Sequence, residues 1–264
     1  MPSYAITGAA RGLGFEFVRQ LSSVSGNVVF AIVRNKGTAQ GLQDLARANI
    51  HILEADITDF VALKKASKDI GELTGGKLDV LINNAAFVDD KRFGISLDDY
   101  TDDQLVEDDL VHAFKINTVG VVHTINAFLP LLRGGSLKKV VTLSTGIADT
   151  DFTLGSEFSV GAPYSISKAA VNMAVVKYAV KYKSEGFTFL CISPGVVNTA
   201  TKPPTPEELK FFGEMIASFK KVTPTFERPL TPEESVKLML AVVEKSTVKD
   251  TGAFISQNGN KEWL

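Results

Sequence analysis

Tyr4-Ala5-Ile6-Thr7-Gly8-Ala9-Ala10-Arg11-Gly12-Leu13-Gly14 carries the chain from a short apolar run through a glycine-rich turn and into a helical pattern that continues to Leu21. Glycine lets a backbone turn tightly and come close to a bound group, and the N-terminus of a helix favours negative charge. A glycine cluster by itself reads as an ordinary turn. Between a strand and a helix, at the opening of a strand–helix–strand unit, it reads as a cradle for a dinucleotide pyrophosphate. The spacing of Gly8, Gly12 and Gly14 is G-x-x-x-G-x-G rather than the commoner G-x-G-x-x-G.

The same alternation repeats downstream. Short apolar runs predict strands at Tyr4–Thr7, Val28–Val33, Ile50–Leu53, Val80–Asn83, Val140–Ser144, Phe187–Ile192 and Ala253–Ile255. Helical patterns between them include Gly14–Leu21, Phe60–Leu73, Leu105–Leu132, Tyr164–Tyr182 and Pro232–Val243. Several strands are apolar on consecutive residues, as a parallel sheet covered on both faces requires. The pattern predicts an α/β protein: a Rossmann-type, doubly wound parallel sheet of about seven strands with helices on both faces, in a single domain over residues 1–264. From about 199 to 232 the rhythm breaks, with six prolines around an amphipathic piece from Glu207 to Lys221. That stretch follows the carboxyl end of a strand, where open α/β sheets bind ligands. It reads as a surface excursion or, in the functional reading, as a lid over a substrate pocket.

Of the 264 residues 45% are hydrophobic, enough for one sizeable core, and the net charge of -2 offers nothing to nucleic acid or an anionic membrane. The lone cysteine, Cys191, lies in an apolar run, so it reads as a buried small hydrophobe, and the absence of disulfides suits a reducing compartment. With no secretory leader before the first strand and no span of membrane length, a cytoplasmic location is expected. His51, His112 and His123 form no metal-ligand spacing, so no metal is expected.

The chemistry points to Tyr164-Ser165-Ile166-Ser167-Lys168. Residues four apart in a helix share a face, so a phenol and an ammonium stand one turn apart. A nearby cation favours the phenolate, which would suit the phenol to proton transfer with an alcohol or ketone near neutrality. A second choice concerns the cofactor. An acid at the end of the second strand would bind a ribose 2′-OH, whereas a basic residue suits a 2′-phosphate. The strand runs Val28 to Val33 and then Arg34-Asn35, with no acid, and Arg11 approaches from the glycine turn. The pair of arginines favours NADPH over NADH.

Taken with Asp56 in Ala55-Asp56-Ile57, Asn83-Asn84-Ala85-Ala86, Asn117 in Lys115-Ile116-Asn117-Thr118, Ser144-Thr145 and Pro194-Gly195-Val196-Val197-Asn198-Thr199, these motifs resemble, in order and over essentially the whole chain, the short-chain dehydrogenase/reductases. The resemblance implies an oxidoreductase in which Tyr164 is the general acid/base and Lys168 lowers its pKa while holding the nicotinamide ribose. Asn117 would hold a water linking Lys168 to solvent, and a hydroxyl at the end of the fifth strand would orient the substrate oxygen. The cofactor set becomes Gly8, Arg11, Gly12, Leu13, Gly14, Arg34, Asp56, Ile57, Asn84, Ala85, Ala86, Tyr164, Lys168, Pro194, Gly195, Val197 and Thr199.

Three departures from the family pattern stand out. The family's second serine is replaced by Thr145, leaving Ser144 as a rival hydroxyl; an insertion runs from Asp149 to Val160; and Ala86 stands where glycine is commoner. Phe87, Phe93, Phe152, Phe158, Phe211, Phe212, Phe219 and Phe226 sit in three loops at one edge of the sheet, suggesting an apolar, aromatic carbonyl substrate. Asp89, Asp90 and Lys91 read as solvated surface. Non-redox chemistry on the same fold, such as dehydration or epimerisation, and a cofactor-sensing regulator are the competing readings. The family also implies a homodimer or homotetramer through the helices at Leu105–Leu132 and Tyr164–Tyr182. Val119, Val122, Val175 and Tyr178 would either serve that contact or pack on the sheet.

Overall fold

The computed structural model describes residues 1–264. Seven strands, β1 (Ser3–Thr7), β2 (Val28–Val33), β3 (Ile50–Glu54), β4 (Val80–Asn83), β5 (Lys139–Leu143), β6 (Thr188–Ser193) and β7 (Ala253–Ser256), form one sheet in the order β3-β2-β1-β4-β5-β6-β7. Every pairing is parallel, with Ser3 opposite Val28 and Tyr4 opposite Val80 on the two sides of β1. The helices are α1 (Gly12–Ser22), α2 (Gln40–Asp44), α3 (Phe60–Thr74), α4 (Asp103–Phe114), α5 (Val121–Gly134), α6 (Thr150–Ser156), α7 (Ala162–Tyr182), α8 (Pro206–Lys220) and α9 (Pro232–Lys245).

β2 shows why the sheet is covered twice. Successive side chains of a strand face opposite ways. Phe30 and Ile32 enter a core shared with α3, α5 and α7, while Val29, Ala31 and Val33 enter one shared with α1, α2 and α9. The chain leaves β1 toward β2 and β3 on one side, then returns to β4 on the other. At such a switch point the loops leaving the strands diverge and open a crevice at the carboxyl ends. Polar residues gather there: Thr7, Asn83, Ser144 and Ser193 are all buried at or beside strand ends.

The long helix expected over Leu105–Leu132 is interrupted. Between α4 and α5, Lys115–Gly120 forms a widened π turn. Its cause is tertiary: Thr118 donates to the main-chain carbonyl of Ser167 at 2.8 Å, and Asn117 bonds both Phe87 and Ser167. Such insertions reshape a helix where a side chain must reach sideways. Gly120 sits close under Ile57, whose Cδ1 would be 2.9 Å from an added Cβ.

The proline-rich stretch leaves and returns at one place. Val197 bridges to Leu230, Asn198 donates to the carbonyl of Leu230 at 2.9 Å, and Leu230 donates to that of Val196 at 2.8 Å. Between those pinned ends stands α8, opened by a capping box of Thr205 and Glu208 with Pro206 in its first turn. Phe219 is the one residue of α8 buried fully against the body of the protein. No helix is long and apolar enough to cross a membrane.

Candidate active site

The nucleotide end is built by tight packing at the β1 and β4 termini. Thr7 Oγ1 accepts the backbone N–H groups of Asn84 and Ala85, each at 3.1 Å, and Asn84 Nδ2 donates to the carbonyls of Thr7 and Gly8 at 2.9 and 3.1 Å. Asn83 Nδ2 reaches Thr142 on β5 at 3.2 Å. These bonds leave no room at two of the glycines: a Cβ at Gly14 would stand 2.2 Å from the Gly8 carbonyl oxygen, and one at Gly8 2.8 Å from Ala85 Cα. Gly12 differs. Its φ is +57°, and its nearest neighbour is the methyl of Thr199 at 3.7 Å, so its open side faces the crevice.

Behind Gly12 the start of α1 is uncapped: Arg11 at the cap position supplies no side-chain acceptor, and the first turn holds no acid. Unpaired N–H groups at a helix start suit a phosphate, so the cradle fits the pyrophosphate of a dinucleotide. Arg11 and Arg34 are exposed and neither forms an ion pair within the chain. Glu54, opposite Val33 at the end of β2, accepts the Lys36 N–H at 2.9 Å.

The remaining nucleotide-side residues divide. One carboxylate oxygen of Asp56 accepts the Thr58 N–H and hydroxyl at 2.8 and 2.7 Å, while the cap of α3 is Asp59. Ile57 turns its side chain into the core; Ala86 is exposed, with Leu13 at the turn and Ala85 half-buried beside Gly8. Gly195, at φ +77°, follows Pro194 and lies against Gln257, whose amide nitrogen would be 3.0 Å from an added Cβ.

At the chemical end, Tyr164 and Lys168 share a face of α7 as their spacing predicts, with the Lys168 nitrogen 5.7 Å from the Tyr164 ring centre. The ammonium does not meet the phenol oxygen. It donates to the Leu143 carbonyl at the end of β5, at 2.7 Å. Burial then dominates both groups: the Tyr164 phenol is pushed up to about 12 and the Lys168 amine down to about 8. The expected lowering of the tyrosine by its lysine is therefore not what the chain's own electrostatics produce. A phenol so shifted keeps its proton at neutrality.

Asn117 is tied on both sides: Oδ1 accepts the Phe87 N–H at 2.7 Å, and Nδ2 donates to the Phe87 carbonyl at 2.9 Å and to Ser167 Oγ at 3.0 Å. Ser167 in turn donates to the Tyr164 carbonyl at 2.7 Å. The side chain thus braces α7 against the segment after β4. Of the two candidate hydroxyls, Ser144 is buried with its Oγ unpartnered, whereas Thr145 borders a cavity with Gly195 and Trp263.

The aromatic residues do assemble. Phe152 and Phe158 of the insertion pack on Phe219 of α8, with ring centres 5.3 and 5.1 Å apart, and Phe93 lies 6.2 Å from Tyr164 and edge-on to Phe211 at 6.1 Å. Phe212, by contrast, faces solvent, and Phe226 is buried. Two features escaped the sequence reading. Trp263 stacks on Phe254 at 4.4 Å and presses on Gly146, where a Cβ would stand 2.7 Å from its own. Asp89 is no mere solvated acid, because it pairs with Arg92 at 2.6 Å beside the Tyr164 cavity.

A family model described as short chain dehydrogenase matches residues 3–210. The chain belongs to the short-chain dehydrogenase family. This short-chain dehydrogenase is similar to the short chain dehydrogenase virK of Hypocrea virens, at 46% identity over 272 aligned positions covering 100% of both chains. It is also similar to the short-chain dehydrogenase/reductase AacuF of Aspergillus aculeatus, at 42% identity with 100% of both covered. Among solved structures, the NADPH-bound carbonyl reductase from chicken fatty liver matches with a TM-score of 0.79 at 27% identity, covering 98% of each chain. The carbonyl reductase Sniffer of D. melanogaster matches at 0.78 and 25%, again over 98% of each. Fold and family are those expected from the sequence, and the protein is an oxidoreductase of this family.

Proposed function

We propose that the protein is an NADPH-dependent reductase that converts a ketone or quinone-like carbonyl of an apolar, aromatic small molecule to an alcohol. The observation that carries the reading is the Tyr164 phenol: its hydroxyl has no partner within the chain, and it borders a cavity walled by Phe87 and Phe93. A protonated phenol in such a cavity is the acid that a reduced carbonyl oxygen needs.

NADPH supplies the hydride when bound. Gly8, Gly12, Leu13, Gly14, Asn84, Ala85 and Ala86 would line its phosphate and ribose path, Asp56 and Ile57 its adenine, and Pro194, Gly195, Val197 and Thr199 its nicotinamide end. Arg11 and Arg34, having no carboxylate partners, would meet the 2′-phosphate. Thr145, on the wall of a second cavity with Gly195 and Trp263, orients the substrate oxygen by hydrogen bonding; Tyr164 donates the proton; Lys168 is anchored at the carbonyl of Leu143. The excursion carrying α8 acts as the lid, its two ends pinned at Val197 and Leu230.

The protein is further proposed to act in the cytoplasm as a homodimer or homotetramer. Val175 and Tyr178 pack inward on the sheet, but Ile166, Met173 and Val180 form an exposed apolar stripe along α7, beside Val111 and Phe114 of α4. The reading is tested by absorbance at the nicotinamide band against a panel of aryl ketones and quinones, with product analysis. One NADPH consumed per alcohol formed supports it. A product changed without net NADPH consumption replaces it with the non-redox reading.

A further inference from the structure

We infer that Asp109 is a positioning residue for the substrate cavity: through Arg92 it holds Phe93 in place as the roof over Tyr164. The inference rests on the proposed role of Tyr164, and names what sets the shape of the cavity beside it.

The segment between β4 and α4 runs from Asn84 to Asp102 with no regular element. Its start is tied by the two bonds between the Phe87 backbone and the Asn117 side chain, and its end by Asp102 capping α4. Its middle needs another anchor, and that anchor is Arg92. The guanidinium meets buried Asp109 of α4 through two bonds of 2.6 Å, from Nε and Nη2, and pairs with Asp89 at 2.6 Å. The Tyr100 hydroxyl adds a bond to Asp109 at 3.1 Å, so two points of one loop, Arg92 and Tyr100, converge on one helix side chain. A two-pronged arginine–carboxylate pair fixes direction as well as distance.

Phe93 follows Arg92 directly, so the clamp sets where its ring goes. That ring lies 6.2 Å from Tyr164, 6.1 Å from Phe211 of α8 and 6.3 Å from Phe158 of the insertion. It also fills the space above Gly161, where a Cβ would come within 2.7 Å of it. The loop of Phe93, α7, α8 and the insertion therefore meet at one ring, and the ion pairs of Arg92 with Asp109 and Asp89 hold the residue next to it. Removing the clamp would loosen the roof without touching the glycine turn of the nucleotide cradle, which lies at the carboxyl end of β1.

The test compares Asp109→Asn, Arg92→Lys and Phe93→Ala with wild type. Asp109→Asn and Arg92→Lys are expected to raise KM for the carbonyl substrate about tenfold, the size of one lost charged hydrogen bond, with NADPH affinity within about twofold. Amide hydrogen exchange across residues 91–96 should quicken by about tenfold in both, with α7 unchanged. Phe93→Ala should raise KM similarly, and Asp109→Asn with Phe93→Ala together should add nothing further.

Unchanged exchange at 91–96, or KM effects that multiply in the double variant, would overturn the inference. If Asp109→Asn does not accumulate as folded protein, Arg92→Lys carries the same readouts. If wild type reduces no carbonyl, the proposed reaction fails, and exchange alone still decides whether the clamp exists.

Discussion

Lys168 gives its ammonium to the main-chain carbonyl of Leu143, 2.7 Å away, and not to the phenol of Tyr164 one helical turn before it. The helix brings the two side chains to one face, but β5 claims the charge. The tyrosine is left to burial, which raises it, while the same burial lowers the lysine. Both shifts favour the neutral groups, and a neutral phenol is the form that donates a proton to a carbonyl oxygen.

The lysine shift has a sign that unfolding can read. With a folded value of about 8 and an ordinary value near 10.5, the unfolded chain alone keeps the proton between those pH values. Stability contributed by this site therefore rises from pH 8 toward pH 10.5. Urea denaturation of wild type and Lys168→Met across that window should show the difference between them shifting in favour of wild type as pH rises. A difference independent of pH would place the amine in water.

The glycines of the turn should separate into two kinds. Gly14→Ala meets a carbonyl oxygen at 2.2 Å and should cost about 1–3 kcal/mol by overpacking. Gly12→Ala has room but a positive φ, a strain of about 1–2 kcal/mol, and its methyl would point into the crevice. Gly12→Ala should therefore weaken NADPH more than tenfold while lowering the melting temperature by only about 2–8 °C. Wild-type NADPH affinity in Gly12→Ala would move the phosphate site elsewhere.

Cofactor choice should follow the two unpaired arginines. Arg34→Ala and Arg11→Ala are each expected to weaken NADPH by about tenfold or more, the worth of a charged hydrogen bond, and to leave NADH nearly unchanged. Equal losses for both cofactors, read by fluorescence titration, would remove the 2′-phosphate from their reach.

The rival hydroxyls are distinguished by what each touches. Ser144 is buried with an unpartnered Oγ, so Ser144→Ala should be neutral or stabilising. Thr145→Val should lower kcat about 100-fold while Thr145→Ser retains it. The reverse pattern would hand the role to Ser144.

The strands were legible because burial on both faces demands unbroken apolar runs, and β2 supplies one from Val28 to Val33. The Tyr164–Lys168 register was legible because helical spacing is local. What stayed hidden depends on partners far along the chain. The π turn exists because Asn117 and Thr118 reach Ser167, and no periodicity encodes that. Arg92 and Asp109 belong to a loop and a helix, and charges in a loop look solvated until the fold buries one of them. Trp263 gains its place from Gly146, which carries no mark of being a wall.

The central claim is that Tyr164 delivers the proton for carbonyl reduction, and a side-by-side assay of wild type and Tyr164→Phe tests it most directly. NADPH binding is titrated first, and turnover is then followed with any carbonyl the wild type reduces. The account predicts NADPH affinity within about twofold and a fall in kcat of about 100-fold or more, the usual worth of a positioned acid. Turnover in Tyr164→Phe close to that of wild type would contradict it.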